Sequence, residues 1–188
     1  NENMNRCMWG NKNELLKRYH DLEWGVPILD TQSLFECFAL EIFQAGLNWV
    51  TVLKRREGFR NVFAQFDPQI LSLFTDYDIS QILTDATIIR NERKIKAVVQ
   101  NAQVVANLPM NFSDYIWQFV DFEPIRNPQV VLDDSQSRIC LTNRIASQMK
   151  ADGFIFVGPK MINAFLQAAG LINDHEVSCF RYYNLAVQ

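Results

Sequence analysis

The chain has only two histidines, and each lies close to a cysteine near one end of the sequence. Cys7 precedes His20 by 13 residues, and Cys179 follows His175 by four. On a helix, positions four apart share a face, so His175 and Cys179 could present their side chains together. One cysteine and one histidine from each end make a Cys2His2 set of soft thiolate and imidazole ligands suited to tetrahedral zinc. Four protein ligands leave no position for water, so such a metal would be a structural staple and not a Lewis acid. The plainer alternative makes the histidines ordinary polar residues and the cysteines small core residues. Cys37 and Cys140 complete the four cysteines, and in a reducing compartment metal ligation is a better use of a clustered set than disulfides.

A carboxylate among apolar neighbours is the second chemical signal. Glu41 lies between Leu40 and Ile42 in "LEIFQAGLNWVTVLKRRE", residues 40 to 57, on what reads as the buried face of a helix. Glutamate is almost never fully buried unless paired, so either it turns to solvent at the helix edge or it has a buried task. A third signal is "ADGFIFVGPKMINAFLQAAG": a helix ends at Asp152, Gly153 and Gly158 bracket a short hairpin, and a new helix starts at Pro159. In such a helix-hairpin-helix pattern the glycines permit tight turns, and free backbone N–H groups at the second helix's start can hold a DNA phosphate. An ordinary connection between helices is the alternative reading.

Basic residues cluster twice, as Lys54, Arg55, Arg56 and Arg60, and as Arg90, Arg93, Lys94 and Lys96. They could follow a phosphate backbone, or they could be solvated helix faces. The net charge of −3 argues mildly against nucleic acid, so the clusters matter more than the total.

The elements that must position these residues are almost all helical. Thr31 or Ser33 can cap a helix carrying Leu34, Phe35, Phe38, Leu40 and Phe43, ended by Gly46. Another starts near Asn48 with Trp49, Val52 and Leu53, and Asp67 with Pro68 opens the next. "DISQILTDATII", "NERKIKAVVQNAQVVANL" closed by Pro109, "FSDYIWQFV", "SRICLTNRIASQMKADG" and "PKMINAFLQAAG" follow. "FEPIRNPQVVLDDS", with Pro124 and Pro128, reads as a long loop. With 188 residues and 48% hydrophobic content the chain can bury a core. The expectation is an all-α fold, one unit over 1–188 or two small helical lobes, with the terminal segments packed together. No segment suits a membrane span or a signal peptide, so a cytoplasmic protein is expected.

"CMWGNKNELLKRYHDLEWGVP", "LEIFQAGLNWVTVLKRRE", "FRNVFAQFDP", "IIRNERKIKAVVQNAQ", "FSDYIWQFV", "GFIFVGPKMINAFLQAAGLINDH" and the final Cys179 resemble the 3-methyladenine DNA glycosylase I family of bacteria, in matching order over nearly the whole chain. The resemblance implies an all-α helix-hairpin-helix glycosylase fold with a zinc staple joining the termini, and carries zinc onto Cys7, His20, His175 and Cys179. It also implies a task for Glu41: to hydrogen-bond a flipped 3-methyladenine beside Tyr19 and Trp49. That role is physically reasonable, since a 3-methylated deoxyadenosine is a cationic purine, and an aromatic wall and a desolvated carboxylate both favour a cation. By the same resemblance Gln44 and Leu47 fill the gap left in the duplex, and Gly153 and Gly158 serve the DNA backbone.

The activity implied is hydrolysis of the base's N-glycosidic bond to leave an abasic site, without strand cleavage because no suitable lysine nucleophile is evident. The implied partner is double-stranded DNA containing alkylated bases, bound by a monomer with no membrane. The wider superfamily places a catalytic aspartate near Asp174, but this family is thought to work without one. Ile42, where the family often has a small residue, and Asn48, where serine is common, depart from the pattern. The main rival is a zinc-stapled DNA-binding protein without activity, against which the Glu41, Tyr19 and Trp49 trio weighs. A zinc hydrolase is disfavoured by the closed ligand set.

Overall fold

The computed structural model describes residues 4–126, 128 and 135–186. Its helices are α1 (Glu14–Leu22), α2 (Thr31–Gln44), α3 (Trp49–Val62), α4 (Pro68–Leu71), α5 (Asp76–Ile82), α6 (Glu92–Ala106), α7 (Phe112–Trp117), α8 (Ser135–Ala151), α9 (Pro159–Ala168) and α10 (Phe180–Ala186). Short 3-10 turns cover Met8–Asn11, Ala64–Phe66 and Gln118–Val120. Among the described residues the extended pairing is a single bridge between Ile125 and Ile172. Half of the long loop read around Pro124 and Pro128, residues 127 and 129–134, falls outside the described residues.

Helix starts follow local side-chain chemistry. Asn13, Asp30, Asn48, Asp67, Asn91 and Asn111 each accept from a backbone N–H of the helix they precede, and Thr75 with Asp78 forms a capping box. The cap of α2 is Asp30, not Thr31 or Ser33: its carboxylate accepts from the Ser33 N–H at 2.9 Å, and Thr31 is already helical. An ionised acceptor at a helix N-terminus also gains from the helix dipole. Between α3 and α4, three consecutive residues, Ala64, Gln65 and Phe66, take positive φ, at roughly 1–2 kcal/mol each. Nothing in their types announced this; full burial of Phe66, and the Gln32 amide donating to the Gln65 carbonyl at 2.8 Å, hold the turn.

α2 is the central element. It packs against α3, α6, α7 and α9, burying Leu34, Phe35, Phe38, Ala39, Ile42 and Phe43. The Phe38 ring packs on Phe35 of the same helix and on Phe112, Phe154 and Phe165 from three other segments. A helix apolar nearly all round is what a fully surrounded position requires, and it leaves Glu41 buried. The N-terminal segment meets the C-terminal one directly: the Phe180 N–H donates to the Asn5 carbonyl at 2.9 Å, and Arg6 and Arg181 both bond Asp21.

Candidate active site and metal centre

A cavity of about 500 Å³ opens between α1, the α2–α3 turn and α9. Its walls are aromatic. Tyr19 comes from α1 and Trp49 from the first turn of α3, with ring centroids 5.3 Å apart; Trp9 and Trp24 stand edge to face at 5.2 Å. Glu41 lies in the same wall, 6% exposed. No described residue donates a hydrogen bond to its carboxylate, and burial pushes its carboxyl from an ordinary 4.5 up to about 8. The Trp49 indole N–H is likewise buried, with no hydrogen-bond partner among the described residues. Unpaired polar groups of this kind cost stability, and a planar cation stacked on the aromatic rings would satisfy the carboxylate.

The turn from Gln44 to Asn48 forms the rim of the cavity. The Leu47 N–H donates to the Gln44 carbonyl at 2.7 Å, Gly46 sits at φ +79, and the Leu47 side chain is 38% exposed. Lys94 stabilises this turn from inside. Its Nζ donates to the carbonyls of Phe43 at 3.1 Å and Ala45 at 2.6 Å, satisfying orphan acceptors at the α2 C-terminus with a cation suited to the dipole there. This corrects the reading of Lys94 as a phosphate contact: it is buried.

Most of the other expected phosphate contacts are also spent internally. Arg56 pairs with Glu23, Arg60 with Glu36 and Lys96 with Glu92, Arg55 donates to the Ala86 carbonyl, and the Arg93 guanidinium lies 5.0 Å above the Phe156 ring. Among these basic residues, Lys54 and Arg90 are left exposed with no hydrogen bond or ion pair to a described residue.

The hairpin between α8 and α9 is braced from α6. The buried Asn101 amide donates to the Ile155 carbonyl at 3.0 Å and accepts from the Ile155 N–H at 2.9 Å. Gly153 sits at φ +103 and Phe156 at φ +62, so one left-handed position is held by a bulky residue. Gly158 precedes α9 with no side-chain cap, and open space surrounds the place its Cβ would occupy. No side chain caps this end of α9, and Pro159 and Lys160 in its first turn are exposed.

Cys7, His20, His175 and Cys179 converge as the sequence spacing suggested. All four are buried, with ligand atoms within 4.8 Å of one another. The route differs for one pair, because residues 175–179 form a turn closed by the Cys179 N–H on the Glu176 carbonyl, and α10 begins only at Phe180. Each imidazole is oriented from behind: His20 Nδ1 bonds the Asp21 carboxylate at 2.8 Å, and His175 Nε2 donates to the Trp24 carbonyl at 2.9 Å. The remaining nitrogens turn inward, the second-layer arrangement that sets a metal-binding tautomer. Burial depresses His175 to about 4 despite the Trp24 carbonyl and pushes the Cys7 thiol up to about 12. A cation at the centre would reverse the thiol's preference.

Beside this cluster Asp174 is held by the Arg138 guanidinium at 2.7 and 2.8 Å and by Gln167 at 2.8 Å. Burial alone would raise its carboxyl, but these bonds outweigh it and hold it below the usual range. Asp174 is absent from the cavity wall, whereas Gln167 is part of it. Trp9, Trp24 and Gln167 are site residues that the sequence reading did not single out. The crowding of three aromatics within residues 9–24 was the available signal. Lys12, also on the rim, is exposed, and so lacks the desolvation that activates lysine nucleophiles.

Residues 9–182 match the family model described as Methyladenine glycosylase. The DNA-3-methyladenine glycosylase 1 of Escherichia coli (strain K12) is 40% identical over 182 residues, 95% of this chain and 97% of the relative. The DNA-3-methyladenine glycosylase of Haemophilus influenzae is 39% identical over 177 residues, covering 93% and 96%. A solved structure of a 3-methyladenine DNA glycosylase I variant in complex with 3-methyladenine aligns at a TM-score of 0.82 with 31% identity, covering 94% of this chain and 97% of that chain. A match of this extent, over an all-helical fold with an aromatic cavity around a buried carboxyl, leaves one conclusion: the chain belongs to the methyladenine glycosylase family.

Proposed function

We propose that the protein excises 3-methyladenine from alkylated double-stranded DNA by hydrolysing the N-glycosidic bond, leaving an abasic site. The observation that carries this reading is Glu41, a buried carboxyl without a hydrogen-bond partner among the described residues, in a wall of four aromatic rings. A base inside a duplex cannot reach such a cavity unless it is flipped out of the stack.

In the proposed mechanism the N3-methylated base enters as a cation and stacks on Tyr19 and Trp49, and its positive charge lowers the Glu41 carboxyl's affinity for its proton, which passes to water as the base binds. The carboxylate accepts from the exocyclic amino group. Methylation has already made the base a good leaving group, so C1′–N9 cleavage is dissociative and water completes the reaction at C1′. Normal adenine is neutral and finds an uncharged, partnerless carboxyl. Glu41 therefore selects the charged base more than it drives bond cleavage. Leu47 and Gln44, on the exposed turn beside the cavity, fill the gap in the stack, and the open α9 N-terminus after Gly158 takes a phosphate. Gly153 allows the hairpin to turn tightly enough to present it. Asp174 has no part in bond cleavage, since Arg138 and Gln167 occupy it. The protein acts as a monomer in this reading.

The donor set fits structural zinc. With Zn–S near 2.3 Å and Zn–N near 2.05 Å, a tetrahedral site needs S···N edges of about 3.5 Å and an N···N edge of about 3.3 Å. Three of the four S···N distances in the cluster are 3.5, 3.5 and 3.6 Å, the N···N distance is 3.2 Å, and all four ligand atoms lie within 4.8 Å of one another. When bound, zinc would supply a crosslink between the two ends of the chain. Release of free 3-methyladenine from alkylated DNA tests the whole reading; protein that binds such DNA and releases no base would be the inactive DNA-binding alternative.

A further inference from the structure

Gln167 stands where two parts of the molecule meet. It lines the cavity that holds Glu41, and its side-chain nitrogen donates to Asp174 Oδ2 at 2.8 Å. Asp174 is fixed in turn, since Arg138 donates to both of its oxygens at 2.7 and 2.8 Å and reaches Asn163 at 3.0 Å. Both Asp174 oxygens already accept from Arg138, so they face Gln167 as acceptors. The Gln167 amide is therefore held one way round, with N–H toward Asp174 and its carbonyl oxygen left over. No described residue donates to that oxygen.

We infer that Gln167 reads the base edge together with Glu41, accepting from the 6-amino group of an extruded adenine-type base, with Asp174 and Arg138 as positioning residues that keep its amide in the accepting orientation. This rests on the glycosylase reading above. A 6-amino group carries two N–H donors, so two acceptors can be used at once. A guanine-type base has a carbonyl oxygen at that place and would meet acceptor with acceptor. Groups left unpaired in a desolvated site weigh heavily against the wrong ligand, so the pair of acceptors selects methylated adenine over methylated guanine.

The test is single-turnover release of 3-methyladenine and 3-methylguanine from the same methylated DNA. Gln167→Met keeps the length of the side chain and removes its polar atoms. It should release 3-methyladenine roughly tenfold more slowly, as expected for one lost hydrogen bond, while 3-methylguanine release holds or rises. In Asp174→Asn the new amide can donate to the Gln167 carbonyl, which turns the Gln167 N–H toward the cavity. The ratio should then move further toward guanine. A purely structural role would instead slow both releases together and lower the melting temperature. An unchanged ratio, or no guanine release from either variant, overturns the inference. If Asp174→Asn does not fold, Gln167→Met decides alone. Wild-type protein that releases neither base would overturn the glycosylase reading itself, an outcome distinct from an active wild type with unselective variants.

Discussion

His175 Nε2 donates to the carbonyl oxygen of Trp24 at 2.9 Å, and the Trp24 ring stands edge-on to the same imidazole at 4.7 Å. Trp24 is also a wall of the aromatic cavity. The Cys2His2 cluster and the cavity therefore share a wall, and disturbance of one is felt by the other. Trp9, two residues after Cys7, repeats the relationship with the other histidine, 5.1 Å from the His20 ring.

Removing a ligand should therefore cost more than stability. Cys179→Ala is expected to lose stoichiometric zinc, to melt at lower temperature, and to quench less with free 3-methyladenine in tryptophan fluorescence titrations at a temperature where it is still folded. Metal analysis checks the first point. A variant that retained both zinc and melting temperature would refute the staple.

Gly25 should be nearly irreplaceable. It sits at φ +83, and a Cβ there would lie 2.9 Å from His175 Nε2. Gly25→Ala strains the backbone and pushes the imidazole off the Trp24 carbonyl, the kind of outer-layer change that typically costs 10–100-fold in metal affinity. Competition with a chelator measures it, and wild-type retention of zinc would contradict the placement.

Glu41 should trade stability against activity with pH. A carboxyl whose folded value lies above its unfolded value is penalised when ionised, so stability is full below 4.5 and falls as pH rises toward about 8. That loss is at most roughly 5 kcal/mol. Glu41→Gln should then match wild type in denaturant unfolding at pH 5 and exceed it at pH 9. Excision should go the other way: kcat/KM of the wild type rises through about 8, the value in the free protein, and the variant is slower and flat over that range. A loss of about 1–3 kcal/mol in transition-state stabilisation is expected. Unchanged excision by the folded variant would remove Glu41 from the site.

Lys94 separates structure from DNA binding. Lys94→Met strips donors from the Phe43 and Ala45 carbonyls and should cost about 1–3 kcal/mol. The salt dependence of DNA affinity should not change. Arg90→Ala should do the reverse, leaving stability alone and flattening the slope of affinity against salt by about one phosphate contact. Exchanged outcomes would return Lys94 to the DNA interface.

What the sequence determined by itself is local chemistry. Caps at Asn48 and Asp67, the Gly153 and Gly158 hairpin, and the apolar run of α2 depend on neighbours a few residues away, and each is where its residue types placed it. The Cys2His2 set was legible because the two histidines, each near a cysteine, leave few ways to combine. Only the tertiary structure decided which charges are spent: Lys94 looks like its neighbours until α6 packs on the end of α2, and Arg56 and Arg60 look free until Glu23, just past α1, and Glu36, on α2, arrive. The same holds for Trp9, Trp24 and Gln167. An aromatic or amide side chain becomes part of a site only when elements far apart in sequence enclose a common space, and no spacing within one segment encodes that. The positive φ of Ala64 to Phe66 belongs here too, since burial of Phe66 in the assembled core overrides what its backbone would otherwise prefer.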